Sequence, residues 1–288
     1  MKIAVALNPR SGSATGEEEI RAAFNAFEVA CVVVPLDEQA EERLIEAART
    51  CDILVAAGGD GTVSTVADAL VRSGGEAVLG VLALGTANDL GRSLGVPADL
   101  SEGVAIIVEG RTVPMDAIRL DDGRVFVNQA NGGFGGGVAQ QLEDDVKSRW
   151  GPLGYWRASV DAAQEMPEYA ISLTVDGEPL QVSAMNVTVA NARFGGGGVQ
   201  LAPLAVLSDG KLDLVIMKSR AKLGLVSLIP RVLNATHGDL EDVISLQAQR
   251  VEFSATPEMP FSIDGEVTDE HPRLFEVLPG RLQVRAPR

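Results

Sequence analysis

The chain has 288 residues, 46% of them apolar, and a formal net charge of −16 at pH 7. That length suits one large domain or two ordinary ones around a packed core, while the acidic balance excludes a nucleic-acid partner, which needs clustered Lys and Arg, and argues against tight electrostatic adhesion to an anionic membrane. Two cysteines, Cys31 and Cys51, form neither a disulfide framework nor metal-ligand spacing, no apolar run nears the ~18 residues of a membrane span, and Met1-Lys2-Ile3 leads straight into a strand without signal-peptide features. The expectation is a protein of the reducing cytoplasm, able to visit the inner face of the membrane.

In chain order, Ile3 to Leu7 reads as a short apolar strand broken by Asn8-Pro9-Arg10-Ser11-Gly12-Ser13, a run of turn formers. Ile20, Ala23, Phe24 and Phe27 mark one face of a helix. Val29 to Val34 is a second strand, and Ala40, Leu44, Ile45 and Ala48 a second helix. The run Ile53 to Ala57 reads as a buried parallel strand, followed by Gly58-Gly59-Asp60-Gly61-Thr62 and then Val63, Val66, Ala67, Leu70 and Val71 at helical spacing. Ala77 to Leu84 is a fourth strand, and Gly85-Thr86-Ala87-Asn88-Asp89-Leu90 opens another helix. This alternation predicts a doubly wound parallel α/β domain. Ligands in such sheets bind beyond the carboxyl ends of the strands, where the three loops 8–13, 58–62 and 85–89 converge.

The central loop carries chemistry of its own. Its glycines let the backbone turn tightly and let a bulky anion approach, and the amides opening the following helix point at that anion. Asp60 would repel a bare phosphate, so the loop reads as a seat for a cation-loaded polyphosphate. Neither the Walker pattern nor the dinucleotide fingerprint is present.

Past Pro114 the texture changes. Ile118 to Val127 reads as two strands around Asp121-Asp122-Gly123. Tyr169 to Val175 and Val182 to Val189 flank Asp176-Gly177, and Val251–Phe253, Phe261–Ile263 and Arg281–Val284 add short strands. An antiparallel β-sandwich is expected, with one inserted helix marked by Leu223, Val226, Ile229, Val232 and Leu233 and bent or ended at Pro230. The domain change is placed near residue 115. Asp209-Gly210 reads as hairpin-turn chemistry and Asp264-Gly265 as a β-turn. Lys147, Arg149 and Arg157 interleave with Trp150, Tyr155 and Trp156. That composition suits either a membrane–water interface or core packing with solvated charges.

The motifs have a family resemblance. GGDGT at 58–62 resembles the loop shared by diacylglycerol and sphingosine kinases, NAD kinases and, more loosely, phosphofructokinases. Taken with Asn8-Pro9-Arg10-Ser11-Gly12 and Leu84-Gly85-Thr86-Ala87-Asn88-Asp89, it resembles the bacterial diacylglycerol kinase-like lipid kinases over nearly the whole chain. The resemblance implies an NAD kinase/phosphofructokinase-like first domain (1–115) and a β-sandwich (116–274), with residues 275–288 returning to the first domain. It implies ATP contacts at Gly58, Gly59, Asp60, Gly61, Thr62, Val63, Ser64, Thr65, Thr86 and Asn88, with Asn8, Arg10, Ser11 and Gly12 beside the phosphates. It implies a structural Mg²⁺ on the Asp209 carboxylate and the carbonyls of Val206 and Lys211, in a segment similar to the family's AP…DG-x-LD. In the late Asp264-Gly265-Glu266 it implies Glu266 as general base, with Asp264 orienting it or contributing to the metal–phosphate site. Asn191 to Gly198 and Asn131 to Gly135 resemble glycine-rich family segments, expected as backbone-close loops lining the cleft.

One departure stands out: where lipid kinases carry Asn-Glu, this chain has Ser64-Thr65, so the role of that Glu is not carried over. The expected activity is ATP-dependent phosphorylation of a lipid hydroxyl. A kinase of a soluble acceptor and a non-catalytic nucleotide or lipid binder are the alternatives. The lipid acceptor's identity and the oligomeric state, a homodimer included, are left open by the sequence.

Overall fold

The computed structural model describes residues 1–8, 15–133, 167–219, 241–268 and 271–288. Four parallel strands, β1 (Ile3–Leu7), β2 (Cys31–Pro35), β3 (Ile53–Gly58) and β4 (Val78–Ala83), lie in the order β4-β3-β1-β2. Helices cover both faces. Ile3, Val5 and Leu7 pack with Ile20 and Phe24 of α1 (Glu17–Asn25) and with Val104 and Ile107 of α5 (Leu100–Glu109). Ala4 and Ala6, pointing the other way, pack with Leu44 and Ala48 of α2 (Ala40–Thr50) and Val66 and Leu70 of α3 (Asp60–Ser73). A strand buried on both faces needs apolar residues at every position, which is why β1 and β3 read as unbroken apolar runs.

Helix α5 was not anticipated from apolar spacing, yet its start carries a cap: the Asp99 carboxylate accepts the Glu102 amide at 2.9 Å. The second strand runs over Cys31–Pro35 rather than from residue 29. A short helix, α4 (Asp89–Leu94), follows the β4 loop.

The second half is β-rich, with β5 (Arg111–Leu120), β6 (Val125–Phe126), β7 (Gln129–Gly133), β8 (Tyr169–Val175), β9 (Glu178–Ala190), β10 (Leu212–Lys218), β11 (Val243–Ala248), β12 (Arg250–Thr256), β13 (Phe261–Ile263), β14 (Glu266–Thr268) and β15 (Leu274–Ala286). Its pairings are antiparallel. Phe126, Phe253, Phe261 and Phe275 meet in its core, largely edge to face. Strand β15 stitches the halves together: it pairs antiparallel with β12 and β5, and parallel with β4 at Val284↔Leu79.

Strand β5 runs through Pro114, opposite Gln283 and beside the register shift between Leu278 and Leu282, an irregular place of the kind that tolerates proline. Several expectations need correcting. Asn131-Gly132-Gly133 is not a loop but part of β7, paired with β9 and β13. Its glycines are steric: a Cβ on Gly132 would come within 2.6 Å of both Met259 Sδ and Phe261 Cζ. Asp209-Gly210 does not join a hairpin; it leads into β10, whose partners are β9 and β11. The inserted helix at 223–233, the aromatic and basic segment 147–157, and Phe134-Gly135 lie outside the described residues. Among the described residues no helix is long and apolar enough to cross a membrane.

Candidate active site

Strand β3 ends at Gly58, and α3 starts at Asp60 with no side-chain cap, Gly59 standing at its N-cap. The amides of its first turn are therefore directed, with the positive end of the helix dipole, at the space beyond the strand. A Cβ on Gly58 would lie 2.4 Å from Thr62 Oγ1, and one on Gly85 would lie 2.3 Å from Gly59 Cα. The loops after β3 and β4 thus touch backbone to backbone, which only glycine permits. Asp60 Oδ1 accepts the Leu90 amide at 3.1 Å, tying this loop to the start of α4. Thr65 turns its hydroxyl back onto the Gly61 carbonyl at 2.9 Å. Val63 and Thr62 are buried, while Thr86 is exposed at the tip of the neighbouring loop.

Asn88 adopts a left-handed backbone conformation, with φ of 53°. Its side chain folds its own loop: Oδ1 accepts the Gly85 amide at 2.8 Å, and Nδ2 donates to the carbonyls of Ala83 (3.1 Å) and Gly85 (2.7 Å). Both amide hydrogens of Asn88 are thereby engaged within the loop. Asn8 follows β1, its amide donating to the Ala57 carbonyl at 3.4 Å; Arg10, Ser11 and Gly12 lie outside the described residues.

The second half approaches from the other side. Phe261 to Ile263 and Glu266 to Thr268 form a hairpin, with Ile263 opposite Glu266. Its two-residue turn, Asp264-Gly265, has φ of 48° and 89°, the positive values such turns require. The hairpin brings Glu266 Oε1 to 2.6 Å from where a Cβ on Gly61 would stand. The carboxylate lies directly against the backbone of the first turn of α3. It borders a cleft of about 680 Å³ with Leu44 of α2 and Gly61, Ser64 and Thr65 of α3.

Asp264 is 3% exposed. It accepts the amides of Val127 (3.1 Å), Asn128 (3.0 Å) and Gln129 (2.9 Å). Burial pushes its pKa up to about 6, against the pull of these amide hydrogen bonds. A carboxylate so engaged serves the protein's own donors.

Asp89 was quoted in a motif but assigned no role by sequence reasoning. It is 4% exposed, and its oxygens accept the amides of Gly198 (2.6 Å) and Gly197 (2.9 Å). Burial raises its pKa most, Asp60 adds to that, and the two glycine amides oppose it. The loop 195–198 in turn packs on Gln129, since a Cβ on Gly195 would fall 2.1 Å from Gln129 Oε1. The contacts therefore close a ring. From α3 they pass from Gly61 to Glu266 and its turn, through Asp264 to Gln129, then through the glycine loop to Asp89 and by Leu90 back to Asp60. Asp116 is a second residue that the sequence did not reveal. Fully buried, it accepts the amides of Gly210 (2.7 Å) and Gly280 (2.6 Å) and so joins the segment before β10 to the bend in β15. A lone acid inside a strand carries no motif by which to find it.

Asp209 lies apart from this ring. Its oxygens accept the Lys211 amide at 3.1 Å and Gln247 Nε2 at 3.4 Å, and Gln247 Nε2 also reaches Asp213 at 3.3 Å. Burial, with the charge of Asp209 adding, pushes Asp213 up to about 6. These two neighbouring carboxylates are oxygen groups of the kind hard divalent cations take, with Gln247 Nε2 contacting both and Lys211 Nζ reaching Gln247 Oε1 at 3.3 Å. Among the described residues no group of three or more His, Cys, Asp or Glu side chains could hold a metal, so such a cation would depend on carbonyls and water.

Residues 2–120 match the model of the diacylglycerol kinase catalytic domain, and residues 130–286 that of the YegS C-terminal NAD kinase beta sandwich-like domain. The "Probable lipid kinase YegS-like" of Serratia proteamaculans (strain 568) is 30% identical over 287 residues, 96% of this chain and 92% of that one. That of Klebsiella pneumoniae (strain 342) is 32% identical over 238 residues, 82% of this chain and 78% of the relative. A crystal structure of a diacylglycerol kinase from Bacillus anthracis str. Sterne superposes with a TM-score of 0.81 at 23% identity, covering 99% of this chain and 96% of that one. At that identity the superposition speaks to the fold: an α/β domain with parallel strands followed by a β-sandwich.

Proposed function

The chain belongs to the YegS-type, diacylglycerol kinase-like family of lipid kinases, and from that premise we propose that it transfers the γ-phosphoryl group of ATP to a hydroxyl of diacylglycerol or a related lipid, with Glu266 as general base. The observation that carries this reading is the position of Glu266 Oε1 against Gly61, at the amide-rich start of α3. An alcohol is a poor nucleophile until it loses its proton, and a carboxylate within hydrogen-bond reach can take it. As the hydroxyl oxygen bonds to the γ-phosphorus, the bond to the β–γ bridging oxygen breaks. The hydroxyl proton passes to Glu266, and ADP leaves with the bridging electrons. The rest of catalysis is positioning and charge stabilisation.

In this reading the amides of Gly59 to Thr65 and the loop at Thr86 hold the phosphates, with Asn8 to Gly12 beside them. Residues 1–115 form the nucleotide lobe and 116–274 the lobe carrying the base. Residues 275–288 return to the first. The cleft between α3 and β14 shields the reacting groups from water. Asp209, with the carbonyls of Val206 and Lys211, would hold Mg²⁺. When bound, that cation neutralises the Asp209–Asp213 pair beside the β10 strand.

The test is transfer of radiolabelled phosphate from ATP to a panel of diacylglycerol, other hydroxyl lipids and NAD. Wild type is expected to label a lipid and not NAD. Glu266→Gln is expected to lower turnover at least ~10²-fold while nucleotide affinity stays within about twofold. Labelling of NAD alone, or undiminished turnover by the variant, refutes the reading.

A further inference from the structure

We propose that Asp89 is a positioning residue that docks the glycine loop 195–198 of the second lobe onto the nucleotide edge of the first, so that seating a nucleotide and docking the loop favour each other; this rests on the reading of the loops at 58–62 and 85–89 as the phosphate seat. The loop cannot hold its place unaided. Gly196, Gly197 and Gly198 have φ of 61°, 84° and 99°, and a Cβ on Gly196 or Gly197 would meet nothing within 4 Å. A run of glycines in the left-handed region costs much conformational entropy to order, and here no side chains pack to offset it.

The base of the loop is fixed within the second lobe. Gly195 and Val199 exchange backbone hydrogen bonds of 2.8 and 3.0 Å, and Gly195 lies against Gln129. The tip is held from the first lobe. The Asp89 carboxylate accepts the Gly197 amide on one oxygen and the Gly198 amide on the other, bonds that its negative charge strengthens. Arg92 lies beside them, since a Cβ on Gly198 would stand 3.6 Å from Arg92 Cζ. Both anchors belong to the phosphate edge. Asp89 opens α4, and the next residue, Leu90, donates its amide to Asp60 of the GGDGT loop. Arg92 Nε donates to the Ala87 carbonyl at 3.1 Å, in the loop whose Gly85 touches Gly59. A displacement of either phosphate loop therefore moves Asp89 or Arg92 relative to Gly197 and Gly198. A nucleotide that orders those loops must favour docking, and by reciprocity docking must favour the nucleotide.

The test measures amide hydrogen exchange across residues 195–199, with and without a non-hydrolysable ATP analogue and Mg²⁺, and the Kd of that analogue by calorimetry. In wild type the analogue is expected to bind and to slow exchange at 195–199 about 10-fold. Asp89→Asn keeps the size of the side chain but gives up its charge and one acceptor. It is expected to speed exchange at 195–199, to lose the slowing by the analogue, and to raise Kd about 10-fold, while exchange in β1 and β3 stays as in wild type. Gly197→Ala leaves α4 untouched and strains the docked loop at positive φ. It is expected to move the same three readings in the same direction by less, and it decides the matter should Asp89→Asn not fold. A merely structural Asp89 would not make exchange at 195–199 respond to the nucleotide. Binding of the analogue without added protection there overturns the coupling and leaves the nucleotide reading standing. An unchanged Kd in the folded variants also overturns it. No binding by wild type refutes the nucleotide reading, and the coupling falls with it.

Discussion

Two Asp-Gly turns invite comparison. Asp176-Gly177 and Asp264-Gly265 each join a hairpin through a two-residue loop, with Val175 opposite Glu178 in one and Ile263 opposite Glu266 in the other. Their φ values nearly coincide, 48° and 92° against 48° and 89°. In both, the Asp carboxylate captures backbone amides from another part of the chain: Gln249 and Arg250 for Asp176, Val127 to Gln129 for Asp264. The difference lies in what surrounds them. Asp176 is exposed; Asp264 is buried, and the residue after its glycine faces the nucleotide loop. An identical local device serves as ordinary β-structure in one place and as the mount of a candidate base in the other, because only tertiary packing differs.

Exchanging the carboxylates for amides should separate the two turns most sharply. Asp264→Asn turns an N–H₂ group toward amide donors in a buried site and is expected to cost about 1–3 kcal/mol, with turnover falling further than stability alone explains. Asp176→Asn, with water at hand, is expected to stay within about 0.5 kcal/mol of wild type. Urea unfolding of both variants checks this; equal penalties would erase the distinction. A smaller effect is expected at the glycines. Gly265→Ala and Gly177→Ala place a Cβ at positive φ with nothing within 4 Å to clash, so each should cost a similar ~1–2 kcal/mol from backbone strain. Only Gly265→Ala should reduce transfer, since only that turn carries Glu266.

A further effect concerns pH. The folded-state pKa of Asp264 is raised from 3.8 to about 6, so its stabilising contribution is full below the unfolded value and is lost as pH rises through about 6. The penalty of Asp264→Asn should therefore shrink between pH 4 and pH 7, as measured by unfolding at both. A penalty that grows over that range would mean that the amide hydrogen bonds, not burial, dominate at this carboxylate.

Much of the fold is legible in the sequence because its signals are local. Apolar runs mark strands covered on both faces, and spacings such as Ile20 and Phe24 mark helix faces. The strand–GGDGT–helix unit is read from consecutive residues. Where the reading missed, the deciding factor was long-range. Gln129 to Gly133 has glycines where strands seldom do, and only the closeness of Met259 and Phe261 to Gly132 and of the Met185 carbonyl to Gly133 explains them. Pro114 sits inside a strand because β15 pairs with the residues on both sides of it.

The candidate site follows the same division. Its dipeptides, glycines and carboxylates can be picked out by type, but Asp89 and Asp116 cannot be distinguished from surface acids until their amide partners, over 90 residues away, are in place. What the sequence determined by itself was the set of elements, because backbone preference and apolar period act over a few neighbours. Which loops meet was decided by the tertiary structure alone. Strand β15 crosses from one half to the other, and the buried carboxylates accept amides far away in the chain; no short window of residues contains either fact.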